Sequence, residues 1–176
     1  MREFEPDWLA ELTKYIVHRS ARDSAFGKVK LVKLIAYSDF TAYQELGESI
    51  TGAIYCKLEH GPAPRALPAT LDALIAGGYL DAVTVPAGPY KQVRYVALKE
   101  PDTDVFAASE LAVIDAILAR FSNFGGKAIS IASHRDFAGW ELVEEYDEIP
   151  YRTALISKDE PSPTAVAAGR AALARL

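Results

Sequence analysis

Residues 27–46 constrain this chain more than any other stretch. At helical spacing, Leu31, Leu34, Ile35, Ser38 and Ala42 form one stripe. Val29, Val32, Ala36, Phe40 and Tyr43 form a second, and Lys30, Lys33, Tyr37, Thr41 and Gln44 make a polar third line. A helix on the surface of a globular domain needs one apolar face. A helix with two must be wrapped by other elements. The pattern predicts a central helix, stopped by Gly47, with only its polar line reaching water. At 176 residues, half of them apolar, the rest of the chain is long enough to supply the covering.

The covering is also legible. Trp8, Leu9, Leu12 and Ile16 predict a first helix over residues 8–20, with Asp7 as its N-cap. Residues 50–58 are rich in β-branched and aromatic side chains and read as a strand. After them, Pro62 and Pro64 hold residues 59–65 extended and cannot donate to a ladder. Leu67, Leu71, Leu74 and Ile75 mark a short helix ended by Gly77-Gly78. Residues 80–85 and 92–98 read as a hairpin closed by the longer loop Pro86-Ala87-Gly88-Pro89. Beyond a linker, Ser109 is expected to cap a helix with inner face Leu111, Ile114, Ile117, Leu118 and Phe121, ended by Gly125-Gly126. Residues 127–135 predict another helix and residues 137–143 a turn or two; Glu141, Glu144, Glu145, Asp147 and Glu148 then make an acidic loop. The expected fold is α+β, mainly helical, with a small antiparallel hairpin and a winged-helix-like centre around the long helix. Residues 1–158 are expected to form one domain, with sub-parts 1–100 and 101–158. Residues 159–176 form an Ala/Pro-rich tail, helical or mobile from residue 164 on.

Composition removes several function classes. No apolar run is long enough to cross a bilayer, and the first residues, Met1-Arg2-Glu3-Phe4-Glu5-Pro6, have no apolar leader core. A single cysteine, Cys56, excludes an internal disulfide framework and fits a cytoplasmic protein. Net charge is −5, and the excess of acid falls in residues 101–176, so bulk charge does not attract nucleic acid. The basic stretch Lys14, Arg19, Arg22, Lys28, Lys30 and Lys33 faces only Asp23 locally. The helix that would enter a DNA groove, residues 66–76, contains Asp72 and no Lys or Arg, with Arg65 just before it. Phosphate contacts need cations, so composition argues against DNA even where element order allows it.

No catalytic constellation stands out. Cys56 and His60 have a metal-like spacing, but no second Cys/His pair completes a set of four, and the expectation is no metal and no cofactor. Ser133 and His134 are adjacent on a helix and diverge by about 100°, which suits no proton relay. Asp39 is the informative acid. It lies beside both apolar stripes, so its carboxylate needs donors, for which Tyr55, His60 and the backbone around Gly61 are candidates. The simplest role for it is to pin the proline-bearing segment to the central helix, holding Tyr37, His60 and Pro62 in a rigid surface. A small enzyme centred on Asp39 and His60 is the less favoured reading.

Several blocks resemble one family. Lys33-Leu34-Ile35-Ala36-Tyr37-Ser38-Asp39-Phe40 is similar to its K-L-L-Y-x-A-D-F helix. Ile50-Thr51-Gly52-Ala53-Ile54-Tyr55, then His60-Gly61-Pro62-Ala63-Pro64, is similar to its I-T-G-A-x-Y and G-P-V-P segments. Ser133-His134, Trp140 and Ile149-Pro150-Tyr151 resemble its ending. In order over residues 28–156, these blocks resemble the SocA-like Panacea domain, with Ile35, Ala36 and Ala63 as departures. The resemblance implies a non-enzymatic antitoxin of a bacterial or phage toxin–antitoxin pair, neutralising a cognate protein toxin by direct binding. It also implies an adaptor role that delivers the toxin to a ClpXP-type protease. A DNA-binding regulator is the alternative, and a second copy of the chain is a further candidate partner. Tyr37, His60, Pro62, Arg65 and Trp140 are the residues expected to frame the partner-binding surface, with Asp39 as its internal brace.

Overall fold

In the computed structural model, which describes residues 2–157 and 162–173, the central stretch is the helix α2, Lys28–Leu46. Gly47 ends it in the left-handed conformation at φ 82°, which a glycine adopts without steric cost. Its enclosure goes further than the sequence pattern predicts. Residues 33–40 are buried without a break, and Lys30, Lys33 and Tyr37 of the polar line are as dry as the apolar stripes. Thr41 is half-buried and only Gln44 of that line is exposed. The physical reason is that each buried polar group has its own partner. Lys30 Nζ meets Asp23 and the Ser122 carbonyl, Lys33 Nζ donates to the Pro62 carbonyl (2.8 Å), and Tyr37 OH donates to Asp136 (3.0 Å).

Around α2 lie α1 (Pro6–Arg19), α4 (Ala108–Arg120) and α5 (Gly126–Asp136), together with a 3-10 turn at Tyr151–Leu155. Leu9, Leu12 and Ile16 of α1, Ile114, Ile117 and Phe121 at α4, and Ile129 of α5 share one core with α2. Its centre is aromatic: Phe40 sits 4.9–5.0 Å from Tyr55, Phe137 and Tyr151, and Tyr37 sits 4.4 Å from Phe121. Such pairs add to the burial of their apolar area. Two short helices, α3 (Leu67–Ala76) and α6 (Ala138–Leu142), complete the shell, and α7 (Pro163–Leu173) is exposed along its described side chains. Residue 158, the last of the expected domain, and residues 159–161 and 174–176 of the expected tail lie outside the described residues.

Two hairpins form two separate sheets. Strands β1 (Tyr55–Leu58) and β2 (Gly61–Pro64) pair antiparallel around the Glu59-His60 turn. The proline segment is thus a strand. With Leu58 opposite Gly61 closing the turn, hydrogen-bonded pairs alternate, so Pro62 and Pro64 fall where no donor is required. The other edge of β1 is taken by the acidic loop, through Lys57 N–H to the Asp147 carbonyl and Ile149 N–H to the Tyr55 carbonyl. Strands β3 (Leu80–Ala87) and β4 (Tyr90–Ala97) pair through a two-residue turn, with Gly88 at φ 61°. This hairpin is longer and tighter than expected because Pro86 tolerates a strand position opposite Lys91. Arg94 fastens it to the α1–α2 connection by donating to the carbonyls of Ser20, Ala21 and Asp23.

Other boundaries shift for local reasons. Pro6 opens α1 and places Asp7 in the first turn, so Asp7 is not the cap. Only Tyr55–Leu58 of the 50–58 run is strand, since Gly52 turns the chain at φ 67° and Asp39 captures Thr51. Ser109 lies inside α4, whose N-terminus is served by Glu110 accepting from Ala107 N–H (2.8 Å). Gly125-Gly126 begins α5 and does not end α4. No helix among the described residues is long and apolar enough to cross a membrane.

Candidate functional site

The Asp39 carboxylate, at 0% exposure, is a hub. It accepts from Thr51 N–H (2.8 Å), from the Thr51 hydroxyl and from Tyr55 OH (2.7 Å). Tyr151 OH lies 3.3 Å away and donates to the Ala53 carbonyl at 2.8 Å. Burial pushes the Asp39 carboxyl above its ordinary range, and the bonds from Thr51 and Tyr55 oppose that. The sequence suggested Tyr55, His60 and Gly61 as partners; the structure gives it Tyr55 and, in place of the other two, Thr51.

The proline strand is held by Lys33, which the sequence pattern had assigned to the wet line. Lys33 is 2% exposed, and burial lowers its ammonium to about 7. Its bond to the Pro62 carbonyl requires Gly61, which sits at φ 103° where an added Cβ would come within 2.4 Å of Ser133 Oγ and 3.0 Å of Lys33 Nζ. Gly61→Ala is therefore expected to cost on the order of 2 kcal/mol in urea denaturation, from left-handed strain and displaced neighbours together. A cost near zero would contradict this packing. Behind the strand, Ser130 donates to the His60 carbonyl (2.8 Å) and Ser133 Oγ to the Ser130 carbonyl (2.7 Å). The His134 ring stacks on Trp140 at 4.0 Å, and Trp140 Nε1 donates to the Leu58 carbonyl. Burial lowers His134, with Lys33 adding to the effect.

The six candidate residues thus separate into three kinds. Tyr37, Asp39 and Pro62 are buried, Trp140 is half-buried, and His60 and Arg65 are exposed. Asp39 and His60 are not brought into one site: Asp39 serves Thr51 and Tyr55, whereas His60 occupies the β1–β2 turn. Cys56 pairs with Ala63 in the ladder and points its thiol at that carbonyl. Among the described residues no group of three or more His, Cys, Asp or Glu is placed to hold a metal ion. The basic stretch is not a cationic face either. Lys14 pairs with Glu11, Arg19 with Asp115 and Lys30 with Asp23, and Lys33 is buried, which leaves Arg22 and Lys28 as the remaining exposed cations of the stretch.

A family model described as Antitoxin SocA-like, Panacea domain, matches residues 31–141. The chain belongs to this family. The match takes in Lys33, Asp39, Gly61-Pro62, Ser133-His134 and Trp140, and stops short of Ile149-Pro150-Tyr151. No curated protein and no solved structure matches the chain. Membership suggests an antitoxin role, with a toxin as the partner in general. In this Panacea domain most of the motif residues form the scaffold that holds the β1–β2 hairpin on α2.

Proposed function

We propose that this Panacea domain is an antitoxin that neutralises a protein toxin by binding it directly, without catalysis. The observation that carries the reading is the family match together with the burial of its motif residues. Lys33 and Asp39 are committed to internal backbone and hydroxyl partners, which suits a rigid presenting surface better than a reaction centre. In this reading His60, Arg65 and the edge of Trp140 face the partner, and Tyr37, Asp39 and Pro62 support them from beneath. A stable complex of this kind buries on the order of 1,600 Å². Delivery of the captured toxin to a ClpXP-type protease is the further step that the resemblance implies. The DNA-binding alternative is not taken up, because α3 carries no cation.

Co-expression with the product of the adjacent gene tests the proposal. The expected result is rescue of growth and co-purification of the two chains. A toxic neighbour that the chain neither binds nor relieves would overturn it. Toxin half-life in cells with and without the protease separates delivery from sequestration.

A further inference from the structure

The first residues of α2, the tip of the β3–β4 hairpin and the start of α5 enclose an open groove of about 900 Å³. Part of its solvent-facing wall is apolar. Tyr90 is 77% exposed and Ile131 60% exposed, with Val29 and Val93 between. Its rim is cationic: Lys28, Lys91 and Lys127 are all exposed, and among the described residues no carboxylate lines it. Lys30 also borders the groove but is spent on Asp23. The sign of the groove opposes the net charge of −5 on the chain as a whole. The groove is also close-built. A Cβ on Gly27 would meet the Val93 carbonyl at 3.3 Å and one on Gly126 would meet Val29 at 3.3 Å, so hairpin and helix ends leave little slack.

We propose that this groove docks an acidic polypeptide segment of the partner protein, anchored by an apolar or aromatic side chain. The proposal rests on the antitoxin reading and adds the surface and the chemistry of the bound segment. Three lysines without a competing acid attract and orient carboxylates, while the apolar floor rewards a buried anchor. A nucleic acid fits less well, since about half the lining is apolar and the rim lacks arginine. His60 borders the same groove, which joins it to the turn that the antitoxin reading places toward the partner.

The test uses the full chain and a triple variant, Lys28→Glu, Lys91→Glu and Lys127→Glu. Two of these changes place an acid in the first turn of a helix, where it is tolerated, and thermal melts confirm folding. A fluorescein-labelled peptide of alternating glutamate and phenylalanine is titrated by fluorescence polarisation. The expected result is salt-sensitive binding that the triple variant weakens at least about tenfold. Tyr90→Ala with Ile131→Ala is expected to weaken it several-fold as well. No binding, equal binding of an all-glutamate peptide, tighter binding of duplex DNA, or a dimer of the chain abolished by the triple variant would each overturn the proposal. A growth assay against the co-expressed toxin distinguishes the two readings. Failure of the unaltered chain to protect removes the antitoxin reading, whereas equal protection by chain and triple variant removes the groove alone.

Discussion

Replacing Asp39 with alanine is expected to lower unfolding free energy by on the order of 3 kcal/mol, read from urea denaturation. The change strands Thr51 N–H and the Thr51 hydroxyl proton in a site with no solvent access, and leaves Tyr55 OH only the Ile35 carbonyl at 3.3 Å. Each orphaned buried donor costs about 1–3 kcal/mol, and removal of the desolvated carboxylate offsets part of the sum. Asp39→Asn is expected to cost less, about 1 kcal/mol, because its amide oxygen still serves Thr51 N–H and both hydroxyls can turn to accept. An alanine variant as stable as the unaltered chain would show that the hub contributes nothing. Since Thr51 and Tyr55 flank the start of β1, loosening of the β1–β2 hairpin and loss of partner binding are expected with the stability loss.

The second large effect is a pH dependence owed to Lys33. Its ordinary value of 10.5 falls to about 7 in the folded chain, because burial penalises the ammonium. Between those values the unfolded chain carries a proton on Lys33 that the folded chain lacks. Stability is therefore expected to rise with pH from about 7 to about 10, by on the order of a few kcal/mol. Below about 7 both states are protonated and the burial penalty is present in full. Lys33→Met keeps the volume and removes the titration, so the difference between the two denaturation curves should shrink as pH rises across that window. Parallel pH profiles for the two proteins would show that Lys33 is solvated. The neutral amine still donates to the Pro62 carbonyl, so the hairpin stays attached at the alkaline end.

Helices and their contacts were legible where apolar spacing is regular. The first stripe of α2 and the Leu67, Leu71 and Leu74 face of α3 are buried where the period places them, whereas in the second stripe Val29 is exposed and Val32 and Tyr43 are half-buried. Boundaries were less legible because they turn on single residues. Pro6 opens α1, Gly52 ends the run before β1, and Gly125 starts a helix although glycine more often follows one. The polar line of α2 misled for a deeper reason. A lysine in a helical pattern reads as wet, and only the three-dimensional position of the Pro62 carbonyl, 29 residues on, makes Lys33 dry. Its presence in the family-like block at residues 33–40 was the one available signal. Asp39 was legible as a buried acid in need of donors, with Tyr55 among them, but Thr51 was not, and the proline strand it was expected to pin is held by Lys33. The groove was invisible, since its lysines come from α2, β4 and α5, whose junction no local pattern encodes.

The near-total enclosure of α2 also dictates an order of events at the ribosome. Lys28–Leu46 emerges before Phe121, Phe137 and Tyr151, which close over it and are translated long afterwards. Until they arrive, a nascent chain exposes Phe40 and its neighbours to water and to other hydrophobic surfaces. Fragments ending before Tyr151 should be captured by chaperones or degraded, so the amount of usable protein in a cell reflects completed synthesis more closely than the rate at which messages are begun.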